Sequence, residues 1–128
     1  VLDNVIKLSN KFTLIDWRED FGGNKHVGDR YYDLAKVSHN LVVNHDVVNK
    51  ELFTVKIKNN EVFCDILRPA RLVECEKVFE DFAVKNGYDI KKIRILRALV
   101  WLNMAPLHQY PFDTFLFYWG KYNLWKAL

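Results

Sequence analysis

The chain has 128 residues, of which 50% are hydrophobic, 27% charged and 15% aromatic, and its formal net charge is +3. This composition is typical of a globular domain and excludes a disordered chain, and the length suffices for a core without disulfide or metal staples. No apolar stretch approaches the roughly 18 residues of a spanning helix, and no basic cluster is interleaved with stacking aromatic residues. Neither a membrane nor a nucleic acid is therefore an expected partner.

The cysteines and the first residues exclude further classes of protein. Cys64 and Cys75 show no CxxC spacing, which argues against a zinc site or a redox pair and predicts reduced, buried thiols. The chain begins Val1-Leu2-Asp3-Asn4, without an initiator Met, a basic segment or an apolar signal segment. Secretion is not indicated, so we expect a cytoplasmic protein of which residues 1–128 are a single domain and a fragment.

The first half of the pattern predicts a β-hairpin and a helix. Val1–Leu8 and Phe12–Trp17 are β-branched or apolar runs separated by the polar cluster at residues 9–11, which is typical of two strands joined by a turn. A loop with three glycines follows, and Asp29 is placed to cap a helix. The apolar positions of that helix recur at helical spacing: Tyr31, Leu34, Ala35, Leu41 and Val42.

The second half predicts another hairpin and three more helices. Leu52–Ile57 and Glu61–Leu67 alternate around Asn59-Asn60, a pair that tolerates positive φ in a tight turn. A second helix follows Pro69 and ends at Gly87, with an expected buried stripe of Leu72, Cys75, Phe79 and Phe82. Asp89 caps a third helix that stops near Pro106, and Pro111 opens a last, aromatic helix to Trp125. Two hairpins and about four helices predict a mainly helical α+β fold.

The most informative polar residues are Asn4 and Asp16, one on each strand of the first hairpin. The turn folds the two strands together, so these side chains can meet. An amide oxygen and a carboxylate are hard ligands of the kind Mg²⁺ takes alongside substrate phosphates, and in phosphoryl transfer such positioning is the main task of the protein. Taken alone, however, Asn and Asp near a hairpin are more often turn or capping residues.

The context of these residues resembles the aminoglycoside phosphotransferase and choline kinase-like family. Leu14-Ile15-Asp16-Trp17 and then Gly28-Asp29-Arg30-Tyr31-Tyr32-Asp33-Leu34-Ala35 are similar to that family's Ile-Asp-(Trp/Phe) strand end and Gly-Asp-x-x-x-Asp-Leu-Ala helix start. The likeness covers residues 1 to about 40. It implies that the chain is part of a protein-kinase-like C-lobe, that Asn4 and Asp16 hold Mg²⁺ on the phosphates of ATP, and that the catalytic Asp lies two residues upstream of Val1. The step from Asn4 to Asp16 is close to the family's ligand spacing.

A second acidic residue nearby forms a literal protein-kinase triplet, Asp20-Phe21-Gly22. We interpret it as coincidence, because residues 12–15 lead as a strand directly into Asp16, whereas Asp20 follows Arg18-Glu19 in an expected exposed turn.

Asp33 lies four residues after Asp29 and therefore on the same side of the predicted helix. The resemblance implies that Asp33 accepts hydrogen bonds from the backbone of the catalytic loop and braces that loop, so we expect it to be buried near the start of the chain. Direct catalysis by Asp33 is the less favoured alternative.

Two other groupings are poor candidates for chemistry. Ser38, His39 and Asp46 do not make a hydrolytic triad, because adjacent helical residues point about 100° apart. His26, His39 and His45 lack the i, i+4 spacing that places two imidazoles on one zinc ion.

The acceptor site is the least defined part of the prediction. His108 and Tyr110 lie in a polar and aromatic stretch beside Pro106 and Pro111, where an alcohol could be hydrogen-bonded and stacked on a ring; a simple corner between helices is the favoured alternative. The resulting hypothesis is the C-terminal part of a Mg²⁺-dependent phosphotransferase from ATP to a small-molecule alcohol such as a sugar, an aminoglycoside or a choline-like compound, inactive as the fragment. The alternative is a non-catalytic binding or interaction module on a kinase-like scaffold, with possible self-association through bared apolar surface.

Overall fold

The structure is a computed structural model that describes residues 4–15 and 20–128. It has a mainly helical α+β architecture with two separate two-stranded antiparallel sheets, as the pattern predicts. The elements in chain order are β1 (Val5–Leu8), β2 (Lys11–Leu14), α1 (Arg30–Val42), α2 (His45–Asn49), β3 (Phe53–Lys58), β4 (Glu61–Ile66), α3 (Ala70–Lys85), α4 (Ile90–Met104) and α5 (Phe112–Ala127), with a 3₁₀ turn at Ala105–Leu107.

The predicted caps and turns are confirmed where local chemistry sets them. The Asp29 carboxylate accepts from the N–H of Tyr31 at 2.8 Å and begins α1, and the Asp89 carboxylate begins α4 in the same way. Asn59 and Asn60 both have positive φ in the turn between β3 and β4. Short polar side chains relieve the steric cost of that backbone, so the register of the second hairpin follows from the turn.

Helix α4 occupies the centre of the molecule, with α1 on one side and α5 on another. Trp101 of α4 and Phe115 and Leu116 of α5 are fully buried. One face of the second hairpin covers this core, since the Phe53 ring lies 5.2 Å and 5.0 Å from the rings of Phe112 and Phe115. No helix in the described ranges is long and apolar enough to cross a bilayer.

The predicted stripe of α3 is wrong in part. Cys75 and Phe82 are exposed, and Ala83 is the fully buried residue of this helix. Glu76, which the apolar pattern did not select, faces inward because Arg97 of α4 pairs with it there. The prediction of two buried thiols is likewise wrong for Cys75, whereas Cys64 is half-buried and burial raises the pKa of its thiol.

Two elements were not predicted. Helix α2 begins where the Asn44 side chain accepts from the N–H of Val47 at 2.9 Å, and a 3₁₀ turn extends the end of α4 through Pro106. Both are too short for a hydrophobic period to reveal them.

Gly120 sets how closely α5 approaches α4. A Cβ atom built on Gly120 would lie 2.9 Å from Cγ of Leu102 and 3.1 Å from the carbonyl oxygen of Ala98. We expect Gly120→Ala to destabilise the protein by about 1–2 kcal/mol in urea unfolding, because the backbone oxygen can move only with its helix. Gly28→Ala is the control, since nothing lies within 4 Å of its added Cβ; equal losses in the two variants would contradict the close approach.

Candidate functional site

The first hairpin brings Asn4 beside the residue that precedes Asp16. The pairing of β1 with β2 continues beyond the strands, because the carbonyl oxygen of Asn4 accepts from the N–H of Ile15 at 2.8 Å. Asn4 is half-buried at this end of the hairpin. Asp16 itself lies outside the described residues, so the shared cavity for the Asn4 and Asp16 side chains stays a prediction.

The segment after the hairpin turns sharply at Asp20-Phe21-Gly22. Phe21 and Asn24 exchange backbone hydrogen bonds of 2.8 Å and 3.1 Å across Gly22 and Gly23, both at positive φ. The carboxylate of Asp20 accepts from the N–H of Gly23 at 3.1 Å and is exposed. The expected exposed turn is therefore confirmed, and Asp20 serves as a turn-capping acceptor.

Asp33 lies in the first turn of α1, one turn after the capping residue Asp29. Its side chain is exposed, so the expectation that Asp33 is buried is wrong for the structure as described. The physical reason is that Asp33 lies on the side of α1 opposite Ala35 and Val42, two of the buried residues of this helix. The bracing role of Asp33 stays a prediction.

Tyr31 fastens the start of α1 to the start of α4, a role the sequence did not reveal. Its hydroxyl accepts from the N–H of Asp89 at 3.1 Å, and its ring stands edge-on to Tyr88 at 5.7 Å. The ammonium group of Lys92 lies 4.0 Å from the centre of the Tyr31 ring, a cation–π contact. These contacts hold the glycine-aspartate segment before α1 at a fixed place on the helical body, beside a cavity of about 560 Å³ lined by residues 28–31 and 86–88.

The structure places His108 and Tyr110 at the corner between α4 and α5. The imidazole of His108 stands edge-on to the ring of Phe112 at 4.9 Å, and Tyr110 is 77% exposed. Phe112 belongs to the core, so this contact fits a corner that joins two helices. An acceptor role for His108 and Tyr110 stays a prediction.

The discarded Ser38–His39–Asp46 triad is explained by the partners of its members. The hydroxyl of Ser38 accepts from Nη1 of Arg97 at 3.2 Å, and Nε2 of His39 lies 3.0 Å from Nδ2 of the neighbouring Asn40. Asp46 lies near the cations of Lys50 and Arg71 at 3.7 Å and 3.8 Å. These partners do not form a nucleophile-to-base relay.

A buried polar network joins three helices, and sequence reasoning missed it. Arg97, 8% exposed, donates to Ser38 of α1 and to Oε1 of Glu76 of α3. Arg68 donates to the other oxygen, Oε2 of Glu76, at 2.7 Å. Burial by itself raises the pKa of Glu76, but the charge of Arg97 and the hydrogen bonds from Arg68 and Arg97 outweigh that effect and lower it.

The described residues thus bring Asn4 to Ile15 and fix the start of α1, whereas no three His, Cys, Asp or Glu side chains within residues 4–15 and 20–128 are grouped to hold a metal ion. Comparison with protein-family models, with curated proteins and with solved structures found no match to this chain. Functional assignment therefore depends on the residues of the chain itself.

Proposed function

We propose that this chain is the C-terminal part of an ATP-dependent phosphotransferase that acts on a small-molecule alcohol. The observation that carries the proposal is the order Asn4, Asp16, Asp29 and Asp33, of which the last three lie within two motifs that resemble one kinase-like family. Two structural features support it: the hairpin that pairs Asn4 with Ile15, and the helix that begins at the Asp29 cap. The kinase-like fold itself is part of the proposal.

In this function the oxygens of Asn4 and Asp16 hold Mg²⁺, a fit that their chemistry supports because this cation takes hard oxygen ligands and completes its shell with phosphates. The bound cation supplies neutralisation of the charge on the transferring phosphoryl group. Asp33 braces the catalytic loop, and in the longer protein an Asp upstream of Val1 takes the proton of the acceptor hydroxyl. The hydroxyl oxygen forms the new bond to phosphorus as the bond between that phosphorus and ADP breaks.

A second candidate function is a non-catalytic interaction module, favoured by the first hairpin. Its apolar side chains at Ile6, Leu8 and Phe12 are 44%, 66% and 69% exposed, and the strand register places them on both faces of the hairpin. A natural reading frame that continues upstream and encodes the catalytic Asp two residues before Val1 favours the enzyme, and a start codon directly before Val1 favours the interaction module.

Paramagnetic broadening by Mn²⁺ tests the metal site in this chain. Mn²⁺ shares the preference of Mg²⁺ for oxygen ligands, and at substoichiometric concentration we expect it to broaden the amide resonances around Asn4 and Asp16 selectively. Asp16→Asn should abolish this effect, because it removes the charged ligand.

Asp20→Asn is the matched control, since Asp20 carries the same charge four residues away and caps a turn. Broadening that survives Asp16→Asn and disappears in Asp20→Asn would contradict the assignment and transfer the site to the Asp20 triplet. Broadening that is uniform along the chain would remove the metal site from the proposal.

A further inference from the structure

A cleft opens between α3, α4 and the end of α5. Its volume is about 780 Å³, within the range of small-molecule sites. None of Asn4, Asp29, Asp33, His108 and Tyr110 lines it. The lining residues are Val73, Glu76, Lys77, Glu80, Ile90, Lys91, Arg94, Arg97, Asn123, Lys126, Ala127 and Leu128.

The charges around this cleft are unbalanced. Five of the lining side chains are cationic and two are acidic. Both carboxylates are already engaged by guanidinium groups: Glu80 takes two hydrogen bonds from Arg94, at 3.0 Å and 2.7 Å, and Glu76 is held by Arg97 and Arg68. The surplus positive charge therefore resides on three lysines, Lys77, Lys91 and Lys126.

The three lysines line the cleft from three different helices. Lys77 stands on α3 and makes no ion pair with any side chain of the described ranges. Lys91, at the start of α4, donates at 2.8 Å to an oxygen of the terminal carboxylate of Leu128, which offsets part of its charge and ties the end of α5 to α4. The ammonium group of Lys126 lies 5.4 Å from the centre of the Tyr122 ring on α5, which leaves its hydrogen-bond donors open to a further acceptor.

The inner wall of the cleft includes the largely buried side chain of Arg97. Arg97 lines it while being only 8% exposed, and its Nε–H is buried without a hydrogen-bond partner among the described residues. The apolar part of the wall is formed by Val73, Ile90, Ala127 and Leu128, and Asn123 adds a polar amide.

We propose that this cleft binds a small phosphorylated molecule, with the phosphate among Lys77, Lys91 and Lys126 and an apolar group against Val73 and Ile90. A compact dianion suits converging ammonium groups, which act as point charges without the fixed fork of arginine. The proposal stands independently of the phosphotransferase assignment, because the two sites share no residue of the described ranges.

Phenyl phosphate is a suitable probe, since it joins a phosphate to an apolar ring, and inorganic phosphate and phenol are its two halves. In titrations of the whole chain followed by amide resonances, we expect saturable shifts in residues 73–80, 90–97 and 123–128 with phenyl phosphate. Inorganic phosphate should bind more weakly and phenol weakest. No saturable shift in these segments, or equal affinity for phenyl phosphate and inorganic phosphate, would overturn the proposal.

A double variant with a matched control separates the site from general surface charge. We expect Lys77→Gln with Lys126→Gln to weaken phenyl phosphate binding by about tenfold or more, through two lost charges at short range. Lys85→Gln with Lys121→Gln removes the same charge from exposed positions of the same two helices outside the cleft and should change the affinity by less than about twofold, because screening limits distant charges. Equal losses in the two double variants would overturn the proposal in favour of diffuse electrostatic attraction.

Discussion

Replacing Trp101 with alanine is expected to destabilise the protein by about 3–5 kcal/mol, the largest loss that the structure predicts for one side chain. Trp101 is fully buried in the last turn of α4, with its ring 6.3 Å from that of Trp119 and 5.3 Å from the guanidinium carbon of Arg97. Alanine would leave a cavity between the helices, and that cavity cannot close unless the helices themselves shift. Equilibrium unfolding in urea measures the loss.

Two further variants test whether the lost packing of Trp101 causes the expected loss of stability. Trp125→Ala removes an indole that is 73% exposed, so its free energy of unfolding should change by less than about 1 kcal/mol. Trp101→Phe should cost less than Trp101→Ala, because the indole N–H of Trp101 has no hydrogen-bond partner within the described ranges and only part of the volume is lost. A Trp101→Ala variant as stable as Trp125→Ala would contradict this account of the core.

Glu76→Gln is expected to destabilise the protein by about 3 kcal/mol. The substitution keeps the shape of the side chain and removes the charge that balances Arg97 and Arg68, and breaking a buried ion pair costs about 3–5 kcal/mol. The lower end applies, because the Glu76 and Arg68 side chains are 18% and 16% exposed.

The control for this variant is Glu80→Gln, one turn further along α3. Nη2 of Arg94 lies 2.7 Å from Oε2 of Glu80, the same distance as between Nη2 of Arg68 and Oε2 of Glu76. The Arg94 and Glu80 side chains are 47% and 25% exposed, however, so the loss of this pair should cost less than about 1 kcal/mol. If Glu80→Gln lowered the free energy of unfolding as much as Glu76→Gln, the burial of an ion pair would not determine its contribution to stability.

The carboxylate of Glu76 also makes the stability of the protein depend on pH in a predictable direction. The pKa of Glu76 in the folded protein is lowered from the ordinary value of 4.5, because the Arg97 and Arg68 charges and hydrogen bonds outweigh the opposing effect of burial. The stabilisation by Glu76 is therefore fully present above pH 4.5 and is lost as the pH falls through the lower pKa of the folded protein. The difference in stability between the parent chain and Glu76→Gln should shrink in that acidic range. A difference that grows on acidification would contradict the lowered pKa.

Much of the secondary structure could be predicted because its signals are local. Asp29 and Asp89 cap helices through hydrogen bonds to backbone groups two or three residues away, and Asn59-Asn60 sets a tight turn through its own backbone angles. The motifs around Asn4 and Asp16 could be found in the same way, as short patterns of adjacent residues. Their proposed chemistry, by contrast, depends on where Asp16 and the residues upstream of Val1 lie in three dimensions.

The sequence alone determined the four long helices, the two hairpins and the caps at Asp29 and Asp89, since each follows from side chains that bond to nearby backbone or recur with a fixed period. Only the tertiary structure decided which face of α3 is buried, that Tyr31 joins α1 to α4, and that Glu76 meets Arg97 and Arg68. The hydrophobic periodicity of α3 predicts that Glu76 is a surface residue, because periodicity within one helix says nothing about a charged partner on another helix. A charged side chain becomes an interior residue only when the fold brings the opposite charge to it, and that distance is a property of the packed helices.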